Sequence, residues 1–139
     1  MPLLKELDLY ERGLLHALIA SRTNNYVPRE KIPWLIEHAD RAKLLAAGDP
    51  LPGSDPFLLY RGVAGRGSAR RVRGLSWTSS LDRARFFARR YPQLHDPAVF
   101  RVTVSAEQVL AYTNERKEEE FLVLLPKRTR PVLHERVRD

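Results

Sequence analysis

Three short stretches carry side chains that can act together: Leu59-Tyr60-Arg61-Gly62, Gly74-Leu75-Ser76-Trp77-Thr78 and Glu118-Glu119-Glu120-Phe121-Leu122-Val123. Each is an apolar run edged by one kind of polar group. The first offers a guanidinium, which can grip a phosphate through two parallel hydrogen bonds. The second offers the hydroxyls of Ser76 and Thr78, which alternation along a strand puts on one face. The third offers carboxylates, of which Glu118 and Glu120 share a face by the same rule while Glu119 points away. A cation, a hydroxyl and a carboxylate on neighbouring strand ends suit a phosphate-bearing substrate whose transition state develops positive charge.

Each group also has a plainer reading. A charge run at a strand start is often a solvated lip, yet two nearby carboxylates repel unless a cation or hydroxyl compensates. A lone Arg61 suits a structural ion pair with one of the glutamates. Hydroxyls at strand ends are common. Trp77 falls on the opposite face from Ser76 and reads as core. His16, His38, His95 and His134 lack metal-ligand spacing, so no metal site is expected. Gly62-Val63-Ala64-Gly65 follows a strand but lacks the rest of a dinucleotide or phosphate-loop pattern.

The elements that must position these groups follow from periodicity. Leu4, Leu7, Leu14, Leu15, Leu18 and Ile19 recur at helical spacing and predict a helix over 3–21, ended by Thr23-Asn24-Asn25. A second helix is expected over 30–47, with Trp34, Leu35, Ala39, Ala42 and Leu45 inward. Gly48, Pro50, Pro52 and Gly53 make a breaker-rich connector. Strands are expected over 57–61, 74–78, 99–104 and 121–125, with a last one over 131–134. A helix is expected over 82–90, capped by Ser79 or Ser80, with Ala84, Phe87 and Ala88 inward. The segment 128–139 reads as either a final strand or a disordered arm. Helices first, then a mixed, mainly antiparallel sheet with one inserted helix, is an α+β fold, taken as one domain over 1–139 with a helical cover over 1–50 and a core over 57–126.

Composition bounds the rest. The chain of 139 residues is 43% hydrophobic and 29% charged, as in ordinary globular domains. It has no cysteine, which excludes disulfides and thiolate metal sites. No apolar run is long enough for a membrane span, and the N-terminus lacks the pattern of a signal peptide, so a cytoplasmic location is expected. The 24 Lys and Arg outnumber the 17 Asp and Glu, for a net charge of +7 that favours phosphate-rich partners. Arg66, Arg70, Arg71 and Arg73 sit among small residues and read as a flexible solvated loop rather than a nucleic-acid patch; basic helices interleaved with aromatics are not obvious in the sequence.

Taken together, the three stretches resemble the arginine–serine–glutamate branch of the mono-ADP-ribosyltransferases, the fold of clostridial actin- and Rho-modifying toxins and vertebrate ecto-enzymes. The matching pieces are Tyr60-Arg61-Gly62, then Ser76-Trp77-Thr78 with Ala84 and Phe87 downstream, then Glu118-Glu119-Glu120 before Phe121-Leu122-Val123-Leu124-Leu125-Pro126. The likeness covers roughly 57–126 and accommodates helices ahead of the first strand. It departs from the family at Trp77 and Thr78 in the Ser-Thr-Ser motif, and in lacking an aromatic over 113–117, where Tyr112 is nearest.

The resemblance implies NAD as substrate. Arg61 would hold its phosphates, within a binding set that includes Tyr60, Gly62, Ser76 and Thr78. Ser76 would contact NAD and orient Glu120. Glu120 would bond the nicotinamide ribose and stabilise the oxocarbenium ion, and Glu118 would activate the acceptor. The loop 93–97, with Arg85 and Phe86, would close over the substrate. The implied acceptor is a macromolecule, with protein arginine favoured and nucleic acid second. The implied setting is a bacterial or phage toxin or effector with an antitoxin or immunity protein as partner. An NAD glycohydrolase and a catalytically inactive nucleic-acid-binding or regulatory module are the alternatives.

Overall fold

A computed structural model of the chain describes residues 9–24, 29–66, 70–114 and 117–137. Four α-helices and six strands follow in the order α1 (Leu9–Asn24), α2 (Ile32–Glu37), α3 (Arg41–Ala47), β1 (Phe57–Val63), β2 (Ser76–Thr78), α4 (Leu81–Ala88), β3 (Ala98–Val104), β4 (Val109–Thr113), β5 (Glu120–Val123) and β6 (Val132–Arg136). The strands form one sheet in the order β4-β5-β2-β1-β3-β6, and every pairing is antiparallel. The α+β expectation is therefore met with a wholly antiparallel sheet.

Period-two alternation divides the apolar residues between the two faces of the sheet. Leu59, Trp77, Phe121, Tyr112, Val102 and Val104 cluster on one face, with the Phe57 and Phe121 rings 5.3 Å apart. On the other, Leu122 and Ala111 receive Leu14, Leu18, Ile36 and Leu44 from α1–α3. Further along the same face α4 packs Ala84 and Ala88 against Val99 and Tyr60. That packing is close: a Cβ on Gly62 would collide with the Ala84 carbonyl and the Ala88 amide. Glycine is required there because helix backbone lies on strand backbone.

Several boundaries differ from expectation. The segment expected as one helix over 30–47 is a short 3₁₀ turn and two helices, α2 and α3. The break has a local cause, because the Asp40 carboxylate caps α3 by accepting from the Lys43 amide at 3.1 Å. The break also rotates the inward set. Trp34 is 57% exposed and Ala42 is exposed, while Ile36 and Leu44 are buried. Pro33 lies in the first turn of α2, where a missing amide costs nothing. The first part of the first predicted helix, over 3–8, lies outside the described residues. Strand β5 starts at Glu120 and stops at Val123, and β6 occupies Val132–Arg136 of the C-terminal segment. No described helix is long and apolar enough to cross a membrane.

Outer strand β4 is shielded. The chain crosses it at Gly48, whose Cα faces the Tyr112 carbonyl with no room for a side chain. The Asp49 amide donates to the Tyr112 carbonyl at 2.7 Å, and the Asp49 carboxylate accepts from the Asn114 amide at 2.8 Å. These bonds occupy backbone groups that an open edge would leave unpaired. They also fix Asn114, where the loop to the glutamates begins.

Candidate active site

The centre of the sheet brings the second and third stretches together. Thr78 pairs with Glu120 across β2 and β5, and Tyr60 pairs with Thr78 across β1 and β2. Tyr60, Thr78, Glu120 and, two residues from Thr78, Ser76 therefore share a face. The Ser76 hydroxyl donates to Glu120 Oε2 at 2.6 Å, and Glu120 is 4% exposed. A hydroxyl–carboxylate bond this short is of the charge-assisted kind, roughly twice as strong as a neutral one. It fixes one carboxylate oxygen of a nearly buried glutamate at a strand start.

Arg61 arrives differently. Being next to Tyr60, it leaves β1 on the opposite face, the side of Leu59 and Trp77. Strand β2 begins at Ser76, and the guanidinium reaches this end, donating from Nη1 to the Ser76 carbonyl at 2.8 Å and from Nε to the Arg71 carbonyl at 3.0 Å. Gly74 lies directly on the guanidinium, where a Cβ would collide with it. Arg61 is thus joined to Ser76 through the backbone, and Ser76 to Glu120 through its hydroxyl. The three predicted residues form one connected unit, but not on one face.

The glutamate loop is held by residues that sequence reasoning passed over. Glu119 adopts φ +49° and Lys117 φ +58°, so the chain turns before β5 begins. Glu118 and Glu119 therefore precede the strand, which begins at Glu120. The Ser79 hydroxyl donates to Glu119 Oε1 at 2.9 Å, and the Glu119 amide donates to Asn114 Oδ1 at 3.1 Å. The Thr78 hydroxyl donates to the Glu118 carbonyl at 2.8 Å and accepts from the Ser80 amide at 3.1 Å. Thr78 thus aligns the backbone that carries Glu118. Burial, then the nearby Glu119 and Asp49 carboxylates, raise the pKa of Tyr112 beside this loop. Of the two serines expected to cap α4, it is Ser80 that does so, accepting from the Arg83 amide. The sequence signal was the unbroken Thr78-Ser79-Ser80 run.

The remaining predicted members have structural surroundings. Tyr60 packs against Ala84 and Ala88, and its ring lies 5.1 Å from His134. Gly62 lies beneath α4. Arg85 is engaged by Glu135 at 2.8 Å and by Asp82 at 3.4 Å, away from the role of a substrate clamp. The arginine-rich loop is tied down where it is described. Arg73 donates to the Pro126 and Leu125 carbonyls at 2.7 and 3.3 Å, and Arg70 stacks 5.4 Å over Phe100. Arg66 pairs with Asp96 at 2.6 Å, which raises its own pKa and lowers that of the carboxylate. No His, Asp and Glu cluster among the described residues could hold a metal. Comparison with family models, curated proteins and solved structures yields no significant match.

Proposed function

We propose that this chain is an NAD-dependent mono-ADP-ribosyltransferase whose catalytic carboxylate is Glu120. The observation that carries the reading is the 2.6 Å bond from Ser76 to Glu120 at the meeting of β2 and β5. A carboxylate fixed and nearly buried before the substrate arrives stabilises a developing cation with little reorganisation. The order of elements supports the same reading, with helices ahead of β1 and α4 directly after the Ser-x-Thr strand.

In the proposed reaction NAD is a substrate and no resident cofactor is required. The bond between the nicotinamide nitrogen and ribose C1′ breaks, and its electron pair leaves with nicotinamide, which departs neutral. Glu120 faces the cationic C1′ and is favoured because its charge is worth more in that transition state than in the ground state. A nucleophile of the acceptor then bonds to C1′ and loses its proton, for which Glu118 is the base. Arg61 takes the phosphates. Its anchoring by two backbone carbonyls limits its rotamers before substrate binds.

The test is NAD added to the purified chain. Binding to the folded state raises the melting temperature, increasingly as the NAD concentration exceeds Kd. A rise with NAD that is reduced in Arg61→Ala, together with nicotinamide release, supports the reading. The absence of both a shift and release would refute it and return the chain to the inactive basic module.

A further inference from the structure

Helix α4 presents a face that the site does not use. Its inner side is Ala84 and Ala88, packed on the sheet. Arg83 and Phe86, three residues apart, fall on the outer side, and Arg90 follows two residues past the end of the helix. Phe86 is 55% exposed and Tyr91, just past the helix, is 43% exposed. The Arg90 guanidinium lies 5.6 Å over the Tyr91 ring, and the Phe86 and Phe87 rings meet edge to face at 5.7 Å. Arg85 is spent on Glu135 and Asp82; among the described residues no carboxylate lies in ion-pair range of Arg83 or Arg90.

Exposed rings flanked by unneutralised guanidinia suit a polyanion with flat apolar faces. The helix is convex, so its rings can stack only on bases that are not already paired. The chain's net charge of +7 supplies the long-range attraction. The position is also apt. Ser79, two residues before α4, holds Glu119, and the eight-residue helix extends about 12 Å from there. A strand laid along α4 runs toward the glutamate loop.

We propose that the outer face of α4 with Arg83 and Phe86, together with Arg90 just past its end, binds single-stranded nucleic acid, and that this strand is the acceptor of the transferred group. The second clause rests on the transferase reading. The new bond then joins C1′ to an oxygen or nitrogen of the nucleic acid, whose proton is released as nicotinamide leaves.

The test is fluorescence anisotropy with a labelled single-stranded DNA, the same sequence as RNA, and its DNA duplex. The native chain should bind the single strands more tightly than the duplex, with affinity falling steeply as salt rises. Phe86→Ala should weaken single-strand binding about tenfold, the scale of one lost stacking contact. Arg83→Glu with Arg90→Glu should weaken it further and flatten the salt dependence by about two phosphate contacts. Lys127→Glu with Arg128→Glu makes the same charge change elsewhere and should leave most of the binding intact. Equal loss in that control, tighter binding to duplex, or no binding at low salt would overturn the proposal. Glu120→Gln should bind nucleic acid as the native chain does. Binding without nicotinamide release would retain the surface and refute the transferase reading. Release without binding would refute the surface alone. With both present, radiolabelled ADP-ribose should appear on the oligonucleotide, and its absence would overturn the acceptor assignment.

Discussion

At the scale of single residues, the site depends on two short links. The Ser76 hydroxyl fixes Glu120, and the Ser76 carbonyl fixes Arg61. Ser76→Ala removes only the first. It should cost about 1.5–3 kcal/mol in stability, the usual range for a hydrogen bond to a charged group. It should lower kcat for nicotinamide release more than it raises KM. Thermal melts and steady-state kinetics on the same variant check both. Gly74→Ala acts on the other link, since the new methyl group meets the guanidinium of Arg61. The guanidinium is the flexible end of a long side chain, so it moves and the fold stays. The expected outcome is a raised KM for NAD with a melting temperature close to native. A large drop in melting temperature would contradict it. Ser76, Glu120 and Arg61 were legible in the sequence from residue type and position at strand ends. The hydrogen bonds of Glu119 were not, because they close a turn in which its φ is +49°. No local pattern around Lys117-Glu118-Glu119 announces a left-handed turn that is stabilised by Asn114 and Ser79.

At the scale of elements, α4 is the hub. Its backbone rests on Gly62, so Gly62→Ala should destabilise by about 1–3 kcal/mol or more, the scale of overpacking against rigid neighbours. Chemical denaturation measures it. Helix α4 is also clasped to β6 by Arg85 and Glu135, a bidentate pair with Nε at 3.0 Å and Nη2 at 2.8 Å. The hydrogen bond from Arg85 is the main cause that lowers the Glu135 pKa below its ordinary value. A carboxyl group depressed in the folded state stabilises above its unfolded pKa, and that contribution disappears as pH falls through the folded pKa. Glu135→Gln should therefore melt below native at pH 7, and the two curves should converge in acid, below the ordinary carboxylate range. A constant difference across pH would contradict the ionic origin of the clasp. Most elements were legible because their apolar periods are clean. Asp40 was an exception: its capping bond starts a new helix inside a stretch whose apolar spacing looks continuous. Hydrophobic periodicity does not see a single cap.

At the scale of the whole molecule, the antiparallel sheet sets β2 between β1 and β5 and so joins residues distant in sequence. The pairing of Thr78 with Glu120 follows from that strand order and could not be read from spacing alone. The net charge of +7 was evident in the sequence, but its distribution was not. Arg73 and Arg85 hold the fold, whereas Arg83 and Arg90 flank exposed rings. The distinction needs the partners in space. The same charge and sheet would serve a binding module that never cleaves NAD, so chemistry at Glu120 is what separates the two. The most direct test compares nicotinamide release from NAD by the native chain and by Glu120→Gln, with the thermal shift by NAD measured for both. The account predicts release by the native chain, a loss of about a hundredfold or more in the variant, on the scale of removing one preorganised stabilising group, and a retained thermal shift. No release by the native chain, or equal release by Glu120→Gln, would contradict it.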